Sequence, residues 1–162
     1  MILNGMEGRN LPVYGDGLNV RDWLYVEDHC SAIYTITRRG KAGETYNIGG
    51  ENEQTNIDVV KKICAYLEEI LPLKENNFLN CAAKKIASYS DLIVYVKDRP
   101  GHDRRYAINC DKIKNELGWT QSVTFDEGLK KTVRWYVENR EWVEHVRSGE
   151  YKNWIDKNYT KR

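Results

Sequence analysis

The stretch LPVYGDGLNVRDWLYVEDH, residues 11–29, decides the fold. It begins with a short apolar run, LPVY (11–14), which Gly15-Asp16-Gly17 turns. DWLYV (22–26) reads as extended, and Glu27 and Asp28 then open a helix that runs to about Arg38 and ends at Gly40. ETYNI (44–48) reads as another strand, stopped by Gly49-Gly50. The strands at 22–26 and 44–48 are expected to pair inside a parallel sheet, buried on both faces. Strands alternating with helices give an α/β or mixed α+β class.

Upstream, residues 2–7 are shorter than the roughly 12 residues an isolated helix needs, and they read as the tail of a longer helix ending at Gly8. Downstream, Ile57, Val60, Ile63, Cys64, Leu67 and Ile70 recur at helical spacing, so 56–71 is an amphipathic helix with Pro72 as its stop. Residues 73–91 read as a variable surface loop holding at most one short helical turn, and LIVYV (92–96) reads as a strand. A short helix is expected at 111–117, ending at Gly118-Trp119. Thr124 and Glu127 form a capping box ahead of a long helix that carries Leu129, Val133, Tyr136 and Val137 on one face. The segment 150–162 is aromatic and polar without a clear period.

The chain has 162 residues, the length of one domain, and its 25 basic and 24 acidic residues leave a net charge of +1. That balance gives no long-range attraction to nucleic acid or to an anionic membrane, so any anion site has to be a local cluster. The four cysteines form no C-x-x-C pair and the three histidines lie far apart, which argues against zinc. Cys64, inside the apolar pattern, reads as a buried reduced thiol. The N-terminus lacks the features of a signal peptide and no window approaches 18 apolar residues, so a cytoplasmic protein is the expectation.

None of the 12 glycines forms the G-x-G-x-x-G turn with which a dinucleotide fold approaches a pyrophosphate. None of the eleven tyrosines has a lysine four residues later to lower its phenol pKa, and no Ser, His and Asp set carries a nucleophile motif. Three segments do hold candidate chemistry. DRPGHDRRY (98–106) packs Arg99, Arg104, Arg105 and His102 around Pro100-Gly101; it is either a solvated turn or a site for phosphate. PVYGDGLNVRDW (12–23) offers Tyr14 to stack on a base or sugar and Arg21 to clamp a phosphate, with Asp22 and Trp23 as alternative partners of Arg21. YNIGGENEQTNID (46–58) places Asn56 at a helix N-terminus, where it caps the helix or meets a ligand.

These segments, together with LGWTQSVTFDEGLKKTVRWYVEN (117–139) and SGEYKNWIDKNY (148–159), resemble the extended short-chain dehydrogenase/reductase superfamily. Within it they resemble the dTDP-glucose 4,6-dehydratase family, the run from Asp98 to Tyr106 being the narrowest match. The resemblance implies the C-terminal part of a Rossmann-type fold. Residues 1–60 would be late elements of the NAD-binding domain interleaved with substrate-domain segments, and 61–162 mostly the sugar-nucleotide-binding domain. It implies that the NAD-binding glycines, the catalytic Tyr and Lys, and an Asp–Glu acid/base pair precede this chain. NAD would serve the whole enzyme, with no cofactor held and no turnover performed by this chain alone. The nucleotide-sugar contacts it implies are Pro12, Val13, Tyr14, Arg21, Asn56, Asp98, Arg99, Pro100, Gly101, His102 and Tyr159. Arg21 and the 98–102 turn would hold diphosphate and ribose, and the others would frame thymine and sugar. A homo-oligomer, formed through surfaces the absent half leaves open, is expected. An epimerase or dehydratase for another nucleotide sugar, or a non-catalytic binding module, is the alternative.

Overall fold

The computed structural model describes residues 1–77 and 85–149. Two short β-pairs and six helices make up these residues, held by two apolar cores.

The larger core forms around helix α3 (Asn56–Ile70). Its periodic residues Ile57, Val60, Ile63, Cys64 and Leu67 are all buried, as their spacing predicts. Burial pushes the Cys64 thiol pKa up, which keeps it a protonated apolar group. Strand β1 (Leu11–Tyr14) pairs in parallel with β4 (Ile93–Val96), Leu11 opposite Ile93 and Tyr14 opposite Val96. Leu11, Val13 and Leu92 turn into the same core. Helix α1 (Ile2–Met6) lies close against α3, because Gly5 has no Cβ: one would stand 2.6 Å from Leu67 Cδ1. The capping box forms as expected, with Thr124 Oγ1 accepting from Glu127 N and Glu127 Oε2 accepting from Thr124 N. It opens α5 (Phe125–Glu138), whose Val133 is buried in this core while Leu129, Tyr136 and Val137 pack on its rim. The helix then breaks at Asn139, and a separate α6 (Arg140–Ser148) follows.

The smaller core joins α2 (Val26–Arg39) to α4 (Asp111–Leu117) through Ala32, Ile113, Leu117 and Trp119. The acidic first turn and basic last turn of α2 complement its dipole. Asp28 is buried at its N-terminal end and accepts three hydrogen bonds, from Ser122 N, Ser122 Oγ and Val123 N. Burial pushes its carboxyl pKa up, but these bonds outweigh burial and the net shift is downward.

Four expectations change. The extended segment expected at 22–26 is strand β2 at Val20–Asp22, and α2 already begins at Val26. Its partner is not 44–48 but β3 (Glu53–Thr55), and the pairing is antiparallel. Residues 44–48 form no strand, because a strand exists only where its backbone finds a ladder partner. Side chains tie this segment down instead: Tyr46 Oη donates to Glu116 and accepts from Lys41 N, and Asn47 Nδ2 donates to Asn109 O. Helix α3 is capped by Thr55, whose side chain accepts from Asp58 N, so Asn56 is the first helical residue and not the cap. The ends of the 73–91 segment are core and not surface loop. Tyr89 and Asn76 are fully buried, Tyr89 Oη donating to Leu71 O and Asn76 Nδ2 to Met6 O.

Candidate functional site

Because β1 and β4 are parallel, the chain leaves both strands at the same end. The turn 15–17 and the loop 97–106 therefore meet beyond the carboxyl ends of the pair, where open α/β sheets place their ligands. Gly15 N donates to Val96 O at 2.9 Å. Gly15 takes φ +58°, and a Cβ on it would stand 2.9 Å from Asp98 Oδ2, so only glycine lets this turn lie on Asp98. The loop is also bound to β2: Val20 N donates to Arg104 O and Tyr106 N donates to Val20 O. Asn19, buried beneath it, donates from Nδ2 to Asp103 O, and its Oδ1 has no partner.

The basic cluster divides into groups with different work. Arg104 grips Asp16 through both terminal nitrogens, at 2.8 and 3.0 Å, and this pulls the Asp16 pKa down. Arg105 grips Glu53 of β3 in the same two-pronged way, at 2.7 Å each. These two arginines staple the loop to its neighbours. Arg21 lies 4.3 Å from the Tyr106 ring centroid and donates to Val20 O and Asp103 O. Arg99 is exposed, and its guanidinium makes no hydrogen bond or ion pair among the described residues. Arg99 is thus the cation of the cluster left open to an anion.

The structure brings Tyr14, at the end of β1, and Arg21, in β2, up to the loop that holds Asp98 to His102. Tyr14 is half exposed and meets His102 edge-on, ring centroids 6.2 Å apart. His102 Nδ1 lies 2.7 Å from Asp98 Oδ1, and this contact lowers the Asp98 pKa. Asn56 adjoins the group through its backbone, its N–H donating to Asn19 O. Pro12 is partly buried, whereas the side chain of Val13 points into the core and leaves only its backbone for a ligand. Tyr159 lies outside the described residues. The sequence reading missed Asp16, Glu53, Tyr106 and Asn19. The partners of Arg104 and Arg105 stand 88 and 52 positions away, so no local pattern links them.

A concavity of about 610 Å³ lies elsewhere, between residues 23–27 and α5. Trp23, Tyr25, Phe125, Trp135, Tyr136 and Trp142 line it, and none of the candidate contacts does.

Residues 1–132 match the family model described as GDP-mannose 4,6 dehydratase, and the chain belongs to that family. Within it, the chain is 56% identical over all 162 residues to the dTDP-glucose 4,6-dehydratase of Shigella flexneri, and it spans 42% of that protein's length. The crystal structure of the Bacillus anthracis dTDP-glucose 4,6-dehydratase in complex with NAD matches 87% of this chain at 49% identity and a TM-score of 0.69, over 39% of its own length. DesIV from Streptomyces venezuelae, a dTDP-glucose 4,6-dehydratase crystallised with NAD and TYD, matches 87% of this chain at 39% identity and a TM-score of 0.71, over 38% of its length. The mixed α/β fold and the family expected from the sequence are those of these relatives. Among the described residues, neither glycine turn that follows a parallel strand opens directly onto a helix N-terminus, as a dinucleotide's pyrophosphate would need: 15–17 leads to β2 and 100–101 to an irregular segment.

Proposed function

We propose that this chain forms the nucleotide-sugar-binding part of an NAD-dependent dTDP-glucose 4,6-dehydratase. The complete enzyme would convert dTDP-glucose to its 4-keto-6-deoxy form; no step of that chemistry falls to residues described here. The larger core would belong to the substrate lobe, and the smaller core, with α2 and 44–48, to the edge of the dinucleotide domain.

The observation that carries this reading is the division of labour among the arginines. Arg104 and Arg105 are neutralised by Asp16 and Glu53 and hold the loops in place. Arg99 on the loop is left open, Arg21 of β2 reaches the same loop at Asp103 O, and guanidinium groups of this kind suit a diphosphate. Tyr14, half exposed at the end of β1, supplies a flat face for a base or sugar. Pro12, Val13, Asn56, Pro100 and Gly101 frame the same space, and Tyr159 would join them from the C-terminal segment.

Isothermal titration of the chain with thymidine diphosphate tests the reading. Binding is expected, and Arg99→Ala should weaken it by roughly 10- to 150-fold, the equivalent of one charge-assisted contact of about 1.5–3 kcal/mol. An unchanged affinity in a folded Arg99→Ala chain would contradict it.

A further inference from the structure

Arg21 of β2 differs from Arg104 and Arg105 in what it is bonded to. Those two meet carboxylates, which neutralise them. Arg21 meets carbonyls: one terminal nitrogen donates to Val20 O at 2.6 Å and the other to Asp103 O at 2.9 Å, and it forms no ion pair among the described residues. A carbonyl carries no formal charge, so the guanidinium keeps its own. Its Nε–H and the second proton on each terminal nitrogen are unused among the described residues. The face of the guanidinium is set by Tyr106, whose ring centroid lies 4.3 Å from Arg21 Cζ. That ring is itself tied at two points. Tyr106 N donates to Val20 O at 3.0 Å, and the hydroxyl donates to the Asp103 carboxylate. The bond to Asp103 raises the Tyr106 pKa, so the phenol stays protonated and remains the donor. Asp103 thus serves both partners, the arginine through its backbone and the tyrosine through its side chain.

We propose that Tyr106 is a positioning residue: without touching the ligand, its ring holds the Arg21 guanidinium in one orientation before a diphosphate arrives. The inference rests on the nucleotide-sugar reading above, in which Arg21 meets the diphosphate. An arginine side chain has many rotamers, and a ligand that has to freeze them gives up affinity to do so. Stacking on Tyr106 settles the orientation in the free chain. A ring face attracts a cation without consuming its N–H donors, so the stack fixes the group and leaves its hydrogen bonding to the ligand. A carboxylate in the same place would hold Arg21 as firmly but would cancel the charge that an anion needs, as happens at Arg104 and Arg105.

Two measurements on the full 162-residue chain test the proposal. The first needs no ligand. In 1H–15N spectra the Arg21 Nε–Hε proton, lying over an aromatic ring, should be shifted upfield. Tyr106→Phe, which keeps the ring, should keep the shift, and Tyr106→Leu should abolish it. The second is titration with inorganic pyrophosphate. Tyr106→Leu should bind it about 2- to 5-fold more weakly, the fold-change of one exposed cation–π contact, and Tyr106→Phe should restore wild-type affinity. In an Arg21→Ala background Tyr106→Leu should cost nothing further, because the residue acts only through Arg21. The amide at position 106 bonds to Val20 O through the backbone, so its protection from hydrogen exchange should persist in both variants and report a loop still seated on β2. An unshifted Arg21 Nε–Hε in the wild-type chain, an unchanged pyrophosphate affinity in Tyr106→Leu, or an equal loss with and without Arg21 would overturn the proposal. A wild-type chain that bound no pyrophosphate would fail the nucleotide-sugar reading, and the Arg21 resonance would still decide the stack.

Discussion

The two loops beyond β1 and β4 and the segment 23–50 contrast in one respect, the completeness of their partners. The loops stand on a finished core, and their backbone is bonded to β2 and β4. In segment 23–50 the apolar Val26, Ile33 and Tyr34 project from α2 into solvent, and 44–48 has no ladder among the described residues. Positions in the first region are therefore fixed by other parts of this chain. In the second region the sequence specifies an apolar surface that the described residues do not cover.

The largest expected effects sharpen that contrast. Leu67 is fully buried where α1, α3 and the 3-10 turn at Tyr89–Leu92 meet. Leu67→Ala should cost about 2–5 kcal/mol in denaturant unfolding. Ile33→Ala, on the exposed stripe of α2, should stay within about 0.5 kcal/mol. If the α2 variant cost as much as the core variant, the stripe would be covered and the contrast would fail.

Tyr89→Phe comes next. It removes the hydroxyl that donates to Leu71 O and accepts from Asn76 Nδ2, taking two buried hydrogen bonds out of the core, and should cost about 1–3 kcal/mol.

Acid stability tests the second region through Asp28. The folded pKa of Asp28 lies below its unfolded value, so its contribution is present above the unfolded pKa and is lost as pH falls through the folded one. Asp28→Asn should lower stability at neutral pH and flatten the acid limb of an unfolding-against-pH curve. An unchanged acid limb would mean that the bonds from Ser122 and Val123 do not favour the ionised form. Self-association should be the smallest effect. Light scattering on the isolated chain should show a concentration-dependent mass that Tyr34→Lys reduces, and a monomer at all concentrations would show that α2 stays exposed without recruiting a second copy.

What the sequence disclosed follows the same division. Helices α3 and α5 were legible because the residues that define them lie within one helix: an apolar period and a capping box. Strand β3 was missed because Glu53-Gln54-Thr55 has no apolar alternation; only its pairing with Val20–Asp22 makes it a strand. The segment 44–48 was misread for the converse reason, since it has strand composition and lacks a partner. In the site, the basic run 98–106 was visible as a cluster. Which of its arginines hold structure and which stay open depends on Asp16 and Glu53, and no spacing encodes that.

On this account the ligand site is the charged loop pair and not the aromatic concavity of about 610 Å³ beside α5. Amide and indole chemical-shift mapping with thymidine diphosphate decides between them. Shifts confined to residues 12–21 and 98–106, with the indoles of Trp23, Trp135 and Trp142 unmoved, are the predicted result. Shifts centred on those three indoles, with the loops unmoved, would contradict it.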